Sequence, residues 1–204
     1  MQETMGIFEA VHERWGIDRR ARVLAGQLAT LLPSGGRILD VGTGSGKLAR
    51  LVQLSRRELH IVGVDVWLAR CPLMPTALFD GWRLPFPDGS FDAAMLVDVL
   101  HHADNARALL GEVVRVSPSV ILIKDHLREG LGAQLTLAFM DRVGNARFGV
   151  ASPGHYLDRG EWMELFRLAG LRVTSWNEDL RIYPKPLDSL FGRSLHFLAQ
   201  LSSS

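Results

Sequence analysis

The sequence ILDVGTGSG, residues 38–46, most constrains the fold of this chain. An apolar run ends in Asp40, and glycine then occupies positions Gly42, Gly44 and Gly46. Glycine permits a tight turn with positive φ and a close backbone approach to a ligand, and a following helix offers free N–H groups. In a parallel α/β sheet, ligands bind beyond the carboxyl ends of the strands. The segment therefore predicts a strand, a ligand-binding loop and a helix.

Other short apolar segments bounded by Gly, Pro, Asp or Asn are typical of buried parallel strands. They are RILDV (37–41), HIVGVD (60–65), FDAAMLVD (91–98) and SVILIKD (119–125), with a brief strand near Ala77–Phe79 and later strands at LRVTSW and LHFLAQL. Helical spacing is present at 17–32, 46–57, 104–116 and 158–169, the last capped by Asp158. This alternation predicts an α/β fold with a mostly parallel sheet covered by helices on both faces.

Composition narrows the class of protein. A chain of 204 residues suits a single domain over 1–204, and a net charge of +1 without charge runs favours neither nucleic acid nor a membrane as partner. Cys71 is the only cysteine, so an internal disulfide and a multi-cysteine zinc site are excluded. Residues 1–20 carry charges throughout and lack a secretory pattern, so we expect a cytoplasmic protein.

Two familiar phosphate-binding loops fit the glycine segment poorly. A P-loop needs a first glycine where Val41 stands and a hydroxyl where Leu48 stands. A dinucleotide fingerprint needs its third glycine at Lys47, and an acid at Asp40 would repel a pyrophosphate. A nicotinamide-dependent oxidoreductase is therefore the weaker hypothesis.

The acids at the ends of the first two strands favour another cofactor. A carboxylate at Asp40 attracts a nearby ammonium or sulfonium group. Asp65 ends the second strand, 23 residues after Gly42, where a carboxylate can accept both hydroxyls of a ribose. The pattern predicts a positively charged cofactor with an unphosphorylated ribose.

The segments DVGTGSG, VGVDV and DGWRLPFPDGSFDAAMLVDVLHH together resemble the class I S-adenosylmethionine-dependent methyltransferases. The resemblance covers residues 36–127 and is closest to the type 11 small-molecule branch, which is similar to ubiquinone and menaquinone biosynthesis C-methyltransferases. It implies a Rossmann-like doubly wound sheet of seven strands in the order 3-2-1-4-5-7-6, with the last strand antiparallel. It also implies S-adenosylmethionine as cofactor, S-adenosylhomocysteine as product and a small-molecule acceptor.

The resemblance also implies roles for the matching positions. The glycine loop would hold the methionine part of the cofactor, and Asp98 would lie near the same part. Asp65 would bind the ribose, Val66 would contact the adenine face, and Asp80 with Gly81 would contact the adenine amino edge. The loop positions are Asp40, Val41, Gly42, Thr43, Gly44 and Gly46. The stretch 67–75 departs from the family, because it replaces the helix usually found after the second strand.

Methyl transfer from a sulfonium needs a general base only when the acceptor must lose a proton, and histidine suits that task near neutral pH. His102 follows the fourth strand, and Asp125 with His126 follows the fifth, so these side chains are expected to face the crevice that holds the acceptor. We interpret the three as catalytic candidates. For His101 a structural hydrogen bond competes with a substrate contact. A magnesium site at these residues is the alternative, but the cluster is mostly imidazole, so no metal is predicted.

A cover segment at 128–156 is predicted to close over the acceptor, with Asn145, Arg147 and Tyr156 orienting it. Packing against the sheet edge or another subunit is the competing interpretation, and a homodimer remains open. Residues 1–33 are expected to form a helical cap. The leading hypothesis is methyl transfer to a small molecule; the alternative is a non-catalytic cofactor-binding sensor or a subunit of a methyltransferase complex.

Overall fold

Seven strands form one mixed sheet in the computed structural model of the chain, which describes residues 18–117, 119–130, 132–138, 155–185, 188, 192 and 195–203. The strands are β1 (Gly36–Val41), β2 (Leu59–Asp65), β3 (Thr76–Leu78), β4 (Ala93–Val97), β5 (Val120–His126), β6 (Leu171–Asn177) and β7 (His196–Ser203). Their order is β3-β2-β1-β4-β5-β7-β6. The first five strands run parallel to one another, whereas β7 runs antiparallel to both β5 and β6. The predicted fold and strand order are confirmed.

Among the described residues, four α-helices with both ends defined cover the two faces of the sheet: α1 (Asp18–Leu31), α2 (Lys47–Ser55), α3 (Ala106–Val116) and α4 (Arg159–Leu168). Side chains of α1 and α2 pack with one set of strand residues, including Ile38, Met95 and Leu122. Side chains of α3 and α4 pack with the alternate set, including Leu39 and Ile123. Because successive strand residues point to opposite faces, these apolar runs supply two separate cores.

The fourth helix begins as its sequence predicts. The Asp158 side chain accepts the N–H of Glu161 at 2.9 Å, and the Glu161 carboxylate accepts the N–H of Asp158 at 2.8 Å. This capping box satisfies two backbone donors that the first helical turn leaves unpaired. It fixes the start of the helix that leads into β6.

The crossover between β2 and β3 is irregular and contains Pro72 and Pro75, which oppose a helix. Residues 66–75, all of them described, form neither helix nor strand. Residues of this crossover therefore stand directly beside the carboxyl end of β2, where the ligand loop also lies.

The cover segment is described only in part. Residues 133–138 are helical. The predicted acceptor residues Asn145 and Arg147 lie outside the described residues, as do positions 1–17 of the expected N-terminal cap. Within the described ranges, no helix combines the length and apolar character that crossing a bilayer requires.

Candidate active site

The glycine loop adopts the left-handed backbone that its composition predicts. Gly42, Gly44 and Gly46 have φ values of 69°, 57° and 76°. A Cβ at Gly42 would lie 2.5 Å from Cγ2 of Val99, whereas a Cβ at Gly44 would meet nothing within 4 Å. Gly42 is therefore required by packing against the β4 side of the site, and Gly44 faces open space where a ligand can approach.

Asp40 supports this loop from below. Oγ1 of Thr43 donates a hydrogen bond to Oδ2 of Asp40 at 2.6 Å, and both residues are buried. Burial raises the pKa of the Asp40 carboxyl from 3.8 to about 7, with the Thr43 hydrogen bond opposing the rise and the charge of Asp65 adding to it. The sequence predicted a cofactor charge near Asp40. In the structure the Asp40 carboxyl is buried beneath the loop and is not part of the described cleft lining.

Asp65 joins the ends of β1 and β2. Its Oδ2 accepts the N–H of Gly44 at 2.7 Å, and its Oδ1 accepts the N–H of Trp67 at 3.3 Å. One carboxylate thus fixes both the ligand loop and the start of the crossover. Asp65 also lies in the wall of the cleft described next.

A cleft of about 410 Å³ opens at the carboxyl ends of β1, β2 and β4, a volume within the range of small-molecule sites. Its walls come from the ligand loop, the crossover, the stretch after β3 and the turn after β4. The described lining residues are Gly42, Gly44, Asp65, Val66, Trp67, Phe79, Asp80, Gly81, Trp82, Asp98, Val99, His102, Ala103, Asp104, Asn105 and Leu109. Of the loop positions predicted to touch the cofactor, Gly42 and Gly44 line this cleft, while Val41, Thr43 and Gly46 are buried behind it.

The Asp98 carboxylate lies in the cleft wall and is paired with two cations. It follows β4 with φ of 56°, and its carboxylate forms ion pairs with Arg20 of α1 and Lys124 of β5. Burial opposes ionisation, but the charges of Arg20 and Lys124 hold the pKa of Asp98 well below its usual range. Nζ of Lys124 also lies 3.2 Å from Nδ1 of His196, and burial lowers the pKa of the Lys124 ammonium.

The turn after β4 presents one imidazole to the cleft. Oδ2 of Asp125 accepts the N–H of Leu100 at 3.0 Å, and Oδ1 lies 2.5 Å from Nδ1 of His101. The rings of His101 and His102 have centroids 3.8 Å apart. Asp125 therefore anchors the turn, His101 packs within it, and His102 lines the cleft.

The predicted placement of Asp125 and His126 in the acceptor crevice is wrong. They are 0% and 5% exposed, and among the described residues the cleft lining includes neither. The reason is strand length, because β5 continues to His126 and pairs with β7 through Asp125↔Phe197 and His126↔His196. Burial, helped by the charge of Lys124, also lowers the pKa of His126 well below its usual range, which makes its imidazole a poor proton acceptor.

Two predicted substrate contacts are likewise interior. His101 is buried against Asp125, and Tyr156 is buried with its ring 5.9 Å from the ring of His101 and 5.7 Å from that of His126. His101 lies within the turn that also carries His102, and the Tyr156 ring packs against the His101 ring. They support that turn, and neither is part of the described lining.

Two described groups place potential metal ligands within 4.8 Å of one another: Asp98, His126 and His196, and His101, Asp125 and His126. In the first group the Lys124 ammonium already contacts Asp98 and His196. In the second the Asp125 carboxylate is engaged by His101 and Leu100. In both groups, contacts with other protein residues therefore explain why the potential ligand atoms lie close together.

Sequence reasoning missed several site residues. Lys124 had a usable signal, because a lysine within the buried strand VILIKD needs a partner charge. Trp67 and Trp82 had another signal, since each closely follows a predicted strand at the edge of the sheet where ligands bind, and both are exposed in the structure. Arg20 had none, because its partner Asp98 lies 78 positions away.

Comparison with known proteins agrees with this geometry. A family model described as a methyltransferase domain matches residues 15–176. An O-methyltransferase of Aspergillus nomiae is 34% identical over 113 residues, covering 48% of this chain and 48% of that protein. A demethylmenaquinone methyltransferase of Thermus thermophilus is 34% identical over 113 residues, covering 50% and 51%. This chain therefore spans about half the length of these two curated relatives.

Solved structures share the fold. A SAM-dependent methyltransferase of Thermotoga maritima superposes with a TM-score of 0.62 at 21% identity over 100% of both chains. The sheet order and the glycine loop define the Rossmann-like class of methyltransferases, and the chain belongs to the methyltransferase domain family. The resemblance read from the sequence is thereby confirmed. Family and fold imply S-adenosylmethionine as the cofactor, as predicted.

Proposed function

We propose that this chain binds S-adenosylmethionine in the cleft and transfers its methyl group to a small-molecule acceptor, releasing S-adenosylhomocysteine. The observation that carries the proposal is the Asp65 carboxylate, which lies in the cleft wall and fixes Gly44 through its N–H. When bound, this cofactor supplies a methyl group already activated by a sulfonium. The chain then mainly has to orient the two reactants and exclude water.

The adenosine end of the cofactor fits one side of the cleft. Each oxygen of Asp65 accepts one backbone N–H and has a second lone pair, so the carboxylate retains capacity for ribose hydroxyls. Val66, Trp67 and Trp82 expose apolar surface to the cleft, and a flat adenine ring would cover it.

The stretch after β3 supports the predicted adenine edge. Oδ1 of Asp80 accepts the N–H groups of Trp82 and Arg83, both at 2.8 Å, which holds Gly81 at the cleft. These backbone hydrogen bonds lower the pKa of the Asp80 carboxyl. An ionised Asp80 can accept a hydrogen bond from an adenine amino group.

His102 is the side chain we assign to proton removal from the acceptor. It is the histidine that lines the described cleft, and the Asp125-anchored turn fixes its position. Asp125 and His101 act in this assignment as positioning residues. When the acceptor loses no proton on methylation, His102 has only a binding role.

A small-molecule acceptor is favoured over a macromolecule. The names of the two relatives above describe an O-methyltransferase and a demethylmenaquinone methyltransferase. The net charge of +1 also gives no electrostatic basis for capturing nucleic acid. We include phenols and quinones first in an acceptor screen.

Titration calorimetry tests the cofactor assignment. Wild-type protein is titrated with S-adenosylmethionine, S-adenosylhomocysteine and NAD, and so are Asp65→Asn and the control Asp88→Asn, whose carboxylate is 82% exposed. We expect both adenosyl ligands to bind wild type and control and to lose about tenfold or more in affinity in Asp65→Asn. Binding of NAD alone would instead indicate an oxidoreductase.

Transfer of a labelled methyl group to the acceptor panel tests the activity itself. Cofactor binding with no transfer to any acceptor, together with a stable protein partner, would favour the non-catalytic alternative. With an acceptor in hand, His102→Gln should lower kcat by about a hundredfold at unchanged cofactor affinity. An unchanged kcat at saturating acceptor would contradict base catalysis by His102.

A further inference from the structure

The edge of the sheet at β3 exposes a large share of the apolar side chains that face water. Nine large apolar residues are exposed among the described residues, and six of them lie between positions 66 and 82. These six are Val66, Trp67, Leu68, Leu73, Leu78 and Trp82. Single scattered apolar residues are ordinary on a protein surface, whereas a concentration of them marks a binding surface. The segment beside β3 therefore carries such a surface.

The cleft accounts for only half of these residues. Three of the six line the cleft, where a bound ligand would cover them. Leu68, Leu73 and Leu78 are outside the described lining, and they are 52%, 54% and 57% exposed. A ligand in the cleft would leave these leucines in contact with water. We call the three residues the leucine surface.

The leucine surface includes part of an open strand edge. β3 is the end strand of the described sheet and pairs there with β2 alone. The N–H of Phe79 donates to the carbonyl oxygen of Asp65 in β2 at 3.0 Å, which directs the backbone groups of Phe79 toward β2. Because backbone groups alternate in direction along a strand, those of Leu78 point away from β2. The outer edge of β3 can therefore accept a further strand.

The opposite edge of the sheet, at β6, has a different surface. The exposed positions of β6 are all polar: Arg172, Thr174, Ser175 and Asn177. β3 spans Thr76–Leu78 and contains no charged residue. Charged side chains on an edge strand oppose pairing with another chain. The sequence therefore protects the edge at β6 and leaves the edge at β3 apolar.

The charges of the molecule favour a second copy of this chain as the occupant of the leucine surface. A net charge of +1 gives two copies little mutual repulsion. Within the same segment the exposed charges have both signs, since Arg70 and Arg83 are positive and Asp80 is negative. A two-fold axis places a surface opposite its own copy. An apolar surface flanked by charges of both signs can be complementary to itself.

We propose that the leucine surface and the outer edge of β3 form a homodimer interface, in which β3 of one copy pairs with β3 of a second copy. A two-fold axis perpendicular to the sheet makes the two β3 strands antiparallel and joins the two sheets. The leucines of both copies then pack together and are removed from water. The inference does not depend on the proposed function, because the leucine surface is separate from the described cleft lining.

Sedimentation equilibrium of the full chain tests the interface, over concentrations from about 1 to 100 µM. The variants are Leu73→Lys and Leu78→Lys, and the matched control is Leu54→Lys. Leu54 is 52% exposed on α2, so its substitution makes the same chemical change outside the leucine surface. We expect wild type and the control to be dimers at the upper concentrations. Leu73→Lys and Leu78→Lys should each raise the dissociation constant of the dimer about tenfold or more, with unchanged circular dichroism.

Three results would overturn the proposed interface. The first is a wild type with the mass of one chain at every concentration. The second is a dimer that Leu54→Lys weakens as much as Leu78→Lys does, or that neither Leu73→Lys nor Leu78→Lys weakens, because the contact would then lie elsewhere. The third is a monomeric wild type that sediments with vesicles of phosphatidylcholine and phosphatidylglycerol, which would assign the leucine surface to lipid.

Discussion

Replacing Asp40 by asparagine should stabilise the free protein, and by an amount that grows with pH. The Asp40 carboxyl is buried beneath the glycine loop, and its pKa is raised from 3.8 to about 7. Asparagine carries no charge, and its carbonyl oxygen can still accept the hydrogen bond that Thr43 donates. The substitution therefore removes a buried charge and keeps the contact that shapes the loop.

The sign and size of the stabilisation by Asp40→Asn follow from the different pKa of Asp40 in the folded and unfolded states. Below pH 3.8 the carboxyl is protonated in both states, so it does not affect stability. Between 3.8 and about 7 only the unfolded chain loses the proton, so the free energy of unfolding falls with rising pH. At about 1.4 kcal/mol per pKa unit, the full penalty above pH 7 is about 4 kcal/mol. Asp40→Asn should thus gain about 2 kcal/mol at pH 5 and about 4 kcal/mol at pH 8.

Urea unfolding followed by circular dichroism at pH 5, 6, 7 and 8, at one ionic strength, measures this difference. Asp88→Asn controls for the loss of one exposed carboxylate. A stability difference between Asp40→Asn and wild type that stays constant with pH would show that the pKa of Asp40 is not raised in the folded protein. A less stable Asp40→Asn at pH 8 would show that the ionised carboxylate is required to hold the loop.

Two further substitutions test the packing and the charges around the cleft. Gly42→Ala should destabilise the protein by about 2–4 kcal/mol, because its φ of 69° and the nearby Val99 side chain both oppose a Cβ. Gly26→Ala, at an exposed helical position with open space, should stabilise it by about 0.5–1 kcal/mol in the same urea titration. Lys124→Met should cost about 3 kcal/mol and raise the pKa of His126, measured by NMR titration, since the Lys124 charge lowers that pKa. Equal stabilities for Gly42→Ala and Gly26→Ala, or an unmoved His126 pKa, would contradict these contacts.

Local patterns were enough to predict the sheet and the ligand loop. Short apolar segments ending in Asp40 and Asp65 specify parallel strands, and glycine at three alternate positions specifies the left-handed turn between β1 and α2. The right-handed crossover rule then restricts the arrangement of these strands. The Asp158 cap was readable for the same reason, because its partner Glu161 is three residues away.

The directions of the side chains at the carboxyl ends of the strands could not be predicted from the sequence. Whether Asp125 and His126 face a crevice or the interior depends on where β5 ends and on the antiparallel cover by β7, a pairing between residues about 70 positions apart. The Asp98 cluster likewise joins α1, β4 and β5, and no local pattern links Arg20 to it. Pairing between residues far apart in the sequence therefore sets the direction of Asp125 and His126 and the contacts of Asp98, and local patterns do not predict it.

A crystal structure of the chain with S-adenosylhomocysteine would show whether the cleft is the cofactor site. We expect the ligand in the cleft, with its ribose hydroxyls hydrogen-bonded to the Asp65 carboxylate and its adenine against Val66 and Trp82. Density for the ligand away from the glycine loop, or a ribose without contact to Asp65 in an otherwise unchanged cleft, would contradict the assignment of this cleft and of Asp65 to the cofactor.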